Sequence, residues 1–132
     1  MGMPTDWFSR GFDRALSEMQ VIEVAAGRAR ARLVVGEAVQ NPMGALHGGA
    51  IATLVDDVGT LALMSADRDG RPGVSTDLNV TYLSPALGGS AVIIEARALK
   101  NGRTLGFVTV EIRREHDNIL VAEGRMTKFM GT

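Results

Sequence analysis

Only one long stretch of the chain carries apolar residues at helical spacing. Ile51, Leu54, Val55, Val58, Leu61 and Ala62 fall at i, i+3, i+4, i+7, i+10 and i+11, a single stripe on an amphipathic helix. This spacing predicts a helix from about Gly48 to Ala66. A weaker match near the start, Phe8, Phe12, Ala15, Leu16 and Met19, predicts a short helix within residues 1–19, with Thr5 or Asp6 as its cap. Elsewhere the period is two. Ala29, Ala31, Leu33 and Val35 alternate with Arg28, Arg30 and Arg32, the signature of a half-buried strand. Residues 20–26 read as a strand before it, with Gly27 as the turn, and residues 36–47 as a loop containing Gly36, Asn41-Pro42 and Gly44. Four more strand-like segments follow at 73–83, 90–99, 104–114 and 118–129, divided by turns at Pro85–Gly89, Asn101-Gly102 and His116–Asn118. Connections this short favour antiparallel neighbours.

One long helix and about six strands that do not alternate with helices argue against a doubly wound parallel sheet. The pattern predicts an α+β fold in which a curved antiparallel sheet wraps around one central helix, with a short N-terminal helix besides. No linker, repeat or low-complexity segment interrupts residues 1–132, which are read as one domain. Sixteen glycines, well above the usual share of ~7%, suit a bent sheet and close backbone approaches.

Composition removes several functions. Fourteen basic against fifteen acidic side chains leave a net charge of −1, without the positive excess that phosphate neutralisation demands of a nucleic-acid binder. There is no cysteine, hence no disulfide framework, zinc-finger spacing or thiol nucleophile. The most apolar stretch, Gly48 to Met64, is short for a bilayer span and contains Asp56 and Asp57. The first residues lack a basic segment leading into an apolar one, so a cytoplasmic location is expected. HExxH, P-loop and dinucleotide-binding patterns are absent from the sequence. A chain of this length buries only about two-thirds of its surface alone and would gain from a partner.

The helix has an unusual second face. Ala52, Thr53, Asp56, Gly59 and Thr60 lie opposite the apolar stripe, where Lys, Glu and Arg would ordinarily face solvent. Either this is a chance run of small surface residues, or the face packs against the helix of a symmetry mate with Asp56 in the seam. Asp57, about 100° further round the helix, is expected to flank the apolar stripe. Just before the helix stands Asn41-Pro42-Met43-Gly44-Ala45-Leu46-His47-Gly48-Gly49. Bare N–H groups at a helix N-terminus polarise an acceptor oxygen, and glycine lets a ligand approach them. Taken singly, Gly48-Gly49 is more often a tight turn than an oxyanion hole, Asn41 more often still a turn residue, and a lone histidine such as His47 usually structural. His116 belongs to a solvated turn. Their conjunction with a carboxylate two turns down the helix is what suggests a site. Ser75, in Gly73-Val74-Ser75-Thr76-Asp77, is not in a nucleophile elbow.

The string Asn41-x-x-Gly44-x-x-His47-Gly48-Gly49, with Asp56 eight residues after Gly48, resembles the active-site signature of the hotdog-fold acyl-CoA thioesterases. Residues 72–86 and 123–128 extend the resemblance, toward the branch of thioesterase superfamily member 2 and its neighbours, the phenylacetate-pathway thioesterases. The resemblance implies dimers, usually paired into tetramers, and acyl-CoA hydrolysis without a metal or redox cofactor, CoA being part of the substrate. It further implies that the Gly48 N–H polarises the thioester carbonyl with help from Asn41. The carboxylate matching Asp56 comes from the neighbouring subunit as general base or nucleophile, Ser75 places the attacking water, and His47 assists the leaving thiolate. Lys100, Arg103 and Lys128 are the candidates for contacts to the CoA phosphates, although each also fits a plain surface charge. The sequence reading is thus a homodimeric or homotetrameric acyl-CoA thioesterase for fatty acyl or aryl acyl groups. The alternative is a non-catalytic acyl-CoA-binding or regulatory hotdog module, against which the carboxylate at position 56 argues, since a pure binder does not need it. A hotdog hydratase fits less well, because no paired Asp and His stand at a suitable spacing.

Overall fold

The computed structural model describes residues 7–131. Strands β1 (Gln20–Ala25) and β2 (Arg28–Val34) form a hairpin, turning through Ala26 and Gly27, both at positive φ (53° and 81°). Helix α1 (Gly48–Ala66) follows, and then β3 (Val74–Tyr82), β4 (Ala91–Asn101), β5 (Leu105–Arg114) and β6 (Leu120–Phe129). The strands make one antiparallel sheet in the order β1-β2-β4-β5-β6-β3.

The sheet wraps α1 because its inward positions and the helix stripe are complementary apolar surfaces. All six stripe residues, Ile51 to Ala62, are at most 5% exposed. They pack in one cluster with Ala31 and Leu33 of β2, Ile94 of β4, Val108, Val110 and Ile112 of β5, and Val121 and Met126 of β6. Outward positions between them are polar, as at Arg30, Arg32, Glu95 and Arg97. The helix lies close to β5 and β6. A Cβ on Gly59 would stand 2.9 Å from Met126 Cε and 3.1 Å from Val108 Cγ1, and one on Gly124 only 2.6 Å from Val55 Cγ1.

That closeness corrects the expected small-residue face. Gly59 turns toward its own sheet, and Thr60 is 6% exposed and hydrogen-bonded to Lys128. Only the N-terminal half of the face, at Ala52, Thr53 and Asp56, keeps access to solvent. A 100° wheel misses this because the sheet curls far enough round to bury every helical residue from Val58 to Met64.

Two further expectations change. The N-terminal segment forms two 3-10 turns, Trp7–Ser9 and Gly11–Leu16, and not an α-helix. Arg10 is extended and Gly11 has φ +62°, which breaks the helical run between them. Leu16 and Met19 are buried as anticipated, but Phe12 is 76% exposed; Thr5 and Asp6 lie outside the described residues. β3 is the second departure. Its Val74, Leu78 and Tyr82 are exposed: β3 is an edge strand paired with β6, and a bulge between Ser75 and Asp77 puts Val74 out of phase with Leu78 and Tyr82.

A buried ion pair closes the route from α1 to β3. Asp67, at the helix C-terminus, accepts from Arg71 Nη2 at 2.8 Å and from the Arg71 and Asp69 backbone amides. Arg71 Nη1 also donates to the carbonyl of Met130 at 2.7 Å. The Arg71 guanidinium holds the Asp67 carboxyl far below the usual carboxylate range. This clamp ties the end of the helix to the end of β6, so that β3 begins beside the helix face carrying Asp56.

Candidate active site

The loop before α1 is built to aim donors outward. The Asn41 side-chain oxygen accepts from the amides of Met43 (2.9 Å) and Ala45 (3.1 Å), an Asx-type turn that fixes the carboxamide. With its oxygen engaged in this way, the NH₂ group is left to donate to something other than the loop. Gly44, at φ +85°, closes the same turn, its N–H donating to the Asn41 carbonyl. His47 is the helix N-cap, and its Nδ1 accepts from the Gly49 amide at 2.8 Å. An Nδ1 that accepts carries no proton, so the neutral ring holds its proton on Nε2. The amide of Gly48, the first helical residue, has no acceptor among the described residues. It is one of the orphan donors at a helix start, where the macrodipole adds positive potential.

Tyr82 was not anticipated at this site. Its hydroxyl donates to the Gly48 carbonyl at 2.9 Å, and its ring lies against the Gly48 Cα. The sequence shows Tyr82 only as an apolar position near the end of a strand, and nothing local marks it as a brace for the helix start. Tyr82→Phe keeps the ring and loses the hydrogen bond, worth about 1 kcal/mol net. It is expected to lower kcat/KM several-fold with a Tm change of a few degrees at most; a fall in Tm with unchanged kinetics would assign Tyr82 to stability alone.

The carboxylate end of the site lies two helical turns away. Ser75 Oγ donates to Asp56 Oδ1 at 2.8 Å and touches Met126 Sδ at 3.3 Å. These two site residues, separated by 19 positions in sequence, line one open cavity of about 580 Å³. Eight residues of α-helix separate Asp56 from Gly48, about 12 Å along the axis. One chain therefore brings Asp56 and Ser75 together at one place and Asn41, His47 and Gly48 at another.

The same cavity holds two groups whose expected positions are corrected. Asp57 does not merely flank the apolar stripe: its carboxyl enters the cavity, where Asp13 of the N-terminal segment is its hydrogen-bond partner. Burial first, then the charges of Asp13 and Asp56, push Asp57 up to about 8. Its buried Oδ2 has no hydrogen-bond partner among the described residues, so nothing there stabilises the charged form. Lys128, proposed as a surface contact to phosphate, is 4% exposed and donates from Nζ to Thr60 Oγ1 at 2.6 Å. Inward alternation along β6 places it under the helix, beside carboxylates. Lys100 and Arg103 are exposed around the β4–β5 turn. A second groove, on the outer face of the sheet among Arg28, Glu95, Arg97 and Glu111, contains none of the expected site residues.

Asp57 has a consequence for stability. A raised native pKa means that folding retains a proton which the unfolded chain loses near pH 4. Stability is then full below that value and declines as the pH rises through about 8. Tm is expected to fall between pH 6 and pH 9, and Asp57→Asn is expected to flatten that decline. An identical pH dependence in the variant would contradict the assignment.

A helix N-terminus, a fixed carboxamide and a serine-bound carboxylate thus lie on one sheet-wrapped helix, in the architecture of a hotdog fold. The chain belongs to the thioesterase superfamily, whose family model matches residues 43–127. It is 42% identical over 123 residues to acyl-coenzyme A thioesterase 13 of Homo sapiens, covering 93% of this chain and 87% of that protein. Among solved structures it is similar to zebrafish thioesterase superfamily member 2, with a TM-score of 0.91, 44% identity, and 96% and 91% of the two chains covered. The Mus musculus thioesterase superfamily member 2 gives a TM-score of 0.87 at 40% identity, over 96% and 92% of the chains.

Proposed function

We propose that the protein hydrolyses acyl-CoA thioesters to a free carboxylic acid and CoA, with Asp56 as general base or nucleophile. The observation that carries this reading is the 2.8 Å hydrogen bond from Ser75 Oγ to Asp56 Oδ1, inside a cavity of about 580 Å³. It orients the carboxylate and supplies a second polar group for a water molecule. The Gly48 N–H and the Asn41 NH₂ receive the carbonyl oxygen as it gains negative charge, and the Nε2–H of His47 faces the departing thiolate. A thioester is already an activated acyl donor, so this sparse set suffices. Water adds its oxygen to the carbonyl carbon, the C–S bond breaks, and the water proton ends on Asp56 or on the thiol.

A complete site requires two chains. The separation of about 12 Å along α1 exceeds the reach of one water molecule and one carbonyl, so Asp56 of one copy serves Gly48 of another. The exposed edge of β3, with Val74 and Tyr82 open to solvent at 67% and 54%, and the accessible Ala52 and Thr53 beside Asp56 offer a continuous surface for that contact. An unpaired strand edge of nine residues is a template for a second copy. The homodimer is the smallest active species in this account, and a homotetramer is the proposed assembly in solution. Lys100 and Arg103 remain the proposed cations for the CoA phosphates.

The test is to mix purified protein with a panel of fatty acyl- and aryl-CoAs and to follow free thiol with a chromogenic reagent. Thiol release on at least one of them is expected, together with elution of a species larger than 14.0 kDa by light scattering. Tight binding without turnover on any of them would instead make the protein a CoA-thioester-binding module.

A further inference from the structure

Lys128 lines the same cavity as Asp56 and Ser75 but has no role in the hydrolysis proposed above. In the sheet register it stands opposite Ser75, and its Nζ donates to Thr60 Oγ1 at 2.6 Å. Thr60 Oγ1 in turn donates to the Asp56 carbonyl at 2.7 Å, one turn back along α1. Asp56 and Thr60 on the helix, and Ser75 and Lys128 on the sheet, therefore form one four-residue cluster. Lys128 is 4% exposed, and among the described residues its ammonium has a single hydroxyl as its hydrogen-bond acceptor. Burial pushes the Lys128 pKa down, opposed by Asp56 first and by Asp57 second.

A buried cation so thinly hydrogen-bonded is expensive unless nearby negative charge compensates it. The cavity supplies that charge in excess. Asp56 and Asp57 enter it from α1 and Asp13 from the N-terminal segment, with Arg10 also on that segment. Carboxylates crowded together suppress one another's ionisation, and a base that shares its proton with a neighbour is lost to catalysis. We propose that Lys128 is a positioning residue for hydrolysis: its ammonium, anchored on Thr60 beside the Asp56–Ser75 pair, keeps the negative charge of this acidic pocket on Asp56. Asp57, half-buried and hydrogen-bonded with Asp13, is then the member that carries the proton.

The inference rests on Asp56 being the reacting carboxylate, and its test separates the two. The pH profile of kcat/KM for acyl-CoA hydrolysis is measured for the wild type, Lys128→Met, Lys128→Arg, and Lys128→Met combined with Asp57→Asn. Lys128→Met is expected to move the acid limb up by about one pH unit, a loss of ~10-fold below it. Lys128→Arg should hold the limb in place, and adding Asp57→Asn should bring it back, because one competing carboxyl is gone. A Lys128→Met profile that overlays the wild type overturns the inference. So does a folded double variant as impaired as Lys128→Met, since a packing defect is not repaired by removing a carboxyl. If circular dichroism shows Lys128→Met unfolded, Thr60→Val, which removes the anchor of the ammonium, decides in its place: its acid limb should move to higher pH, and an unmoved limb overturns the inference. Asp56→Asn with full activity would instead defeat the base assignment itself.

Discussion

Asp56→Asn is expected to lower turnover by ~10²–10⁴-fold, the usual contribution of a general base, while folding and assembly persist. Asparagine keeps the shape and still accepts the Ser75 hydrogen bond, so the 2.8 Å contact that orients the side chain survives. What disappears is the charge that takes a proton from water or attacks the carbonyl. Asn41→Ala should cost less, because the Gly48 N–H still polarises the oxygen; a single oxyanion donor is worth up to ~10²–10³. Rates on an acyl-CoA substrate, with light scattering on the same samples, check both. An Asp56→Asn enzyme within a few-fold of the wild type would remove this carboxylate from the chemistry.

Gly59→Leu carries the largest expected effect on stability. Even a Cβ at this position meets Met126 Cε at 2.9 Å and Val110 Cγ2 at 3.4 Å, and the remaining three carbons would have to enter a packed core. Overpacking of this kind costs about 3 kcal/mol, on the order of 10 °C in Tm for a chain of this length. Loss of assembly in this variant would therefore be secondary to damage within each chain. Ala52→Leu is the proper probe of the seam, because Ala52 is on the accessible half of the helix. It should weaken the dimer while leaving secondary structure intact. A Gly59→Leu protein with wild-type Tm would contradict the packing described for α1 on β5 and β6.

The central helix was legible to the residue, from Gly48 to Ala66, because six apolar positions at one period leave no competing reading. Strand segments and turns were legible for the same reason, through a period of two and turn chemistry such as Asn101-Gly102. What failed was whatever depends on the reach of the sheet. Gly59 and Thr60 look solvent-facing on a wheel, yet β5 and β6 curl beneath them. Val74 and Leu78 look core-facing by alternation, yet β3 is an edge strand with a bulge at Ser75–Asp77, and the helix covers it only in part. The candidate site was legible as a set of residues but not as a geometry. Asn41, His47, Gly48, Asp56 and Ser75 could be named from a motif, but the pairing of Ser75 with Asp56 needed β3 to fold back beside α1 through the Asp67–Arg71 clamp. Tyr82, Asp57 and Lys128 gave no local signal. A strand tyrosine, a helix aspartate and a strand lysine acquire roles only from what the fold sets opposite them.

The shared site is tested most directly by mixing two defects. Gly48→Pro removes the polarising N–H at the first helical position, where proline is tolerated and where the extended His47 before it (φ −64°, ψ 137°) suits a following proline. Co-expressed with Asp56→Asn under separate tags, it yields hybrids in which one of the two sites draws an intact Gly48 from one chain and an intact Asp56 from the other. The account predicts that each variant alone is nearly inactive and that the random mixture recovers roughly a quarter of wild-type turnover, one intact site in half of the dimers. Isolated hybrid dimers with no more activity than the two variants apart would contradict it.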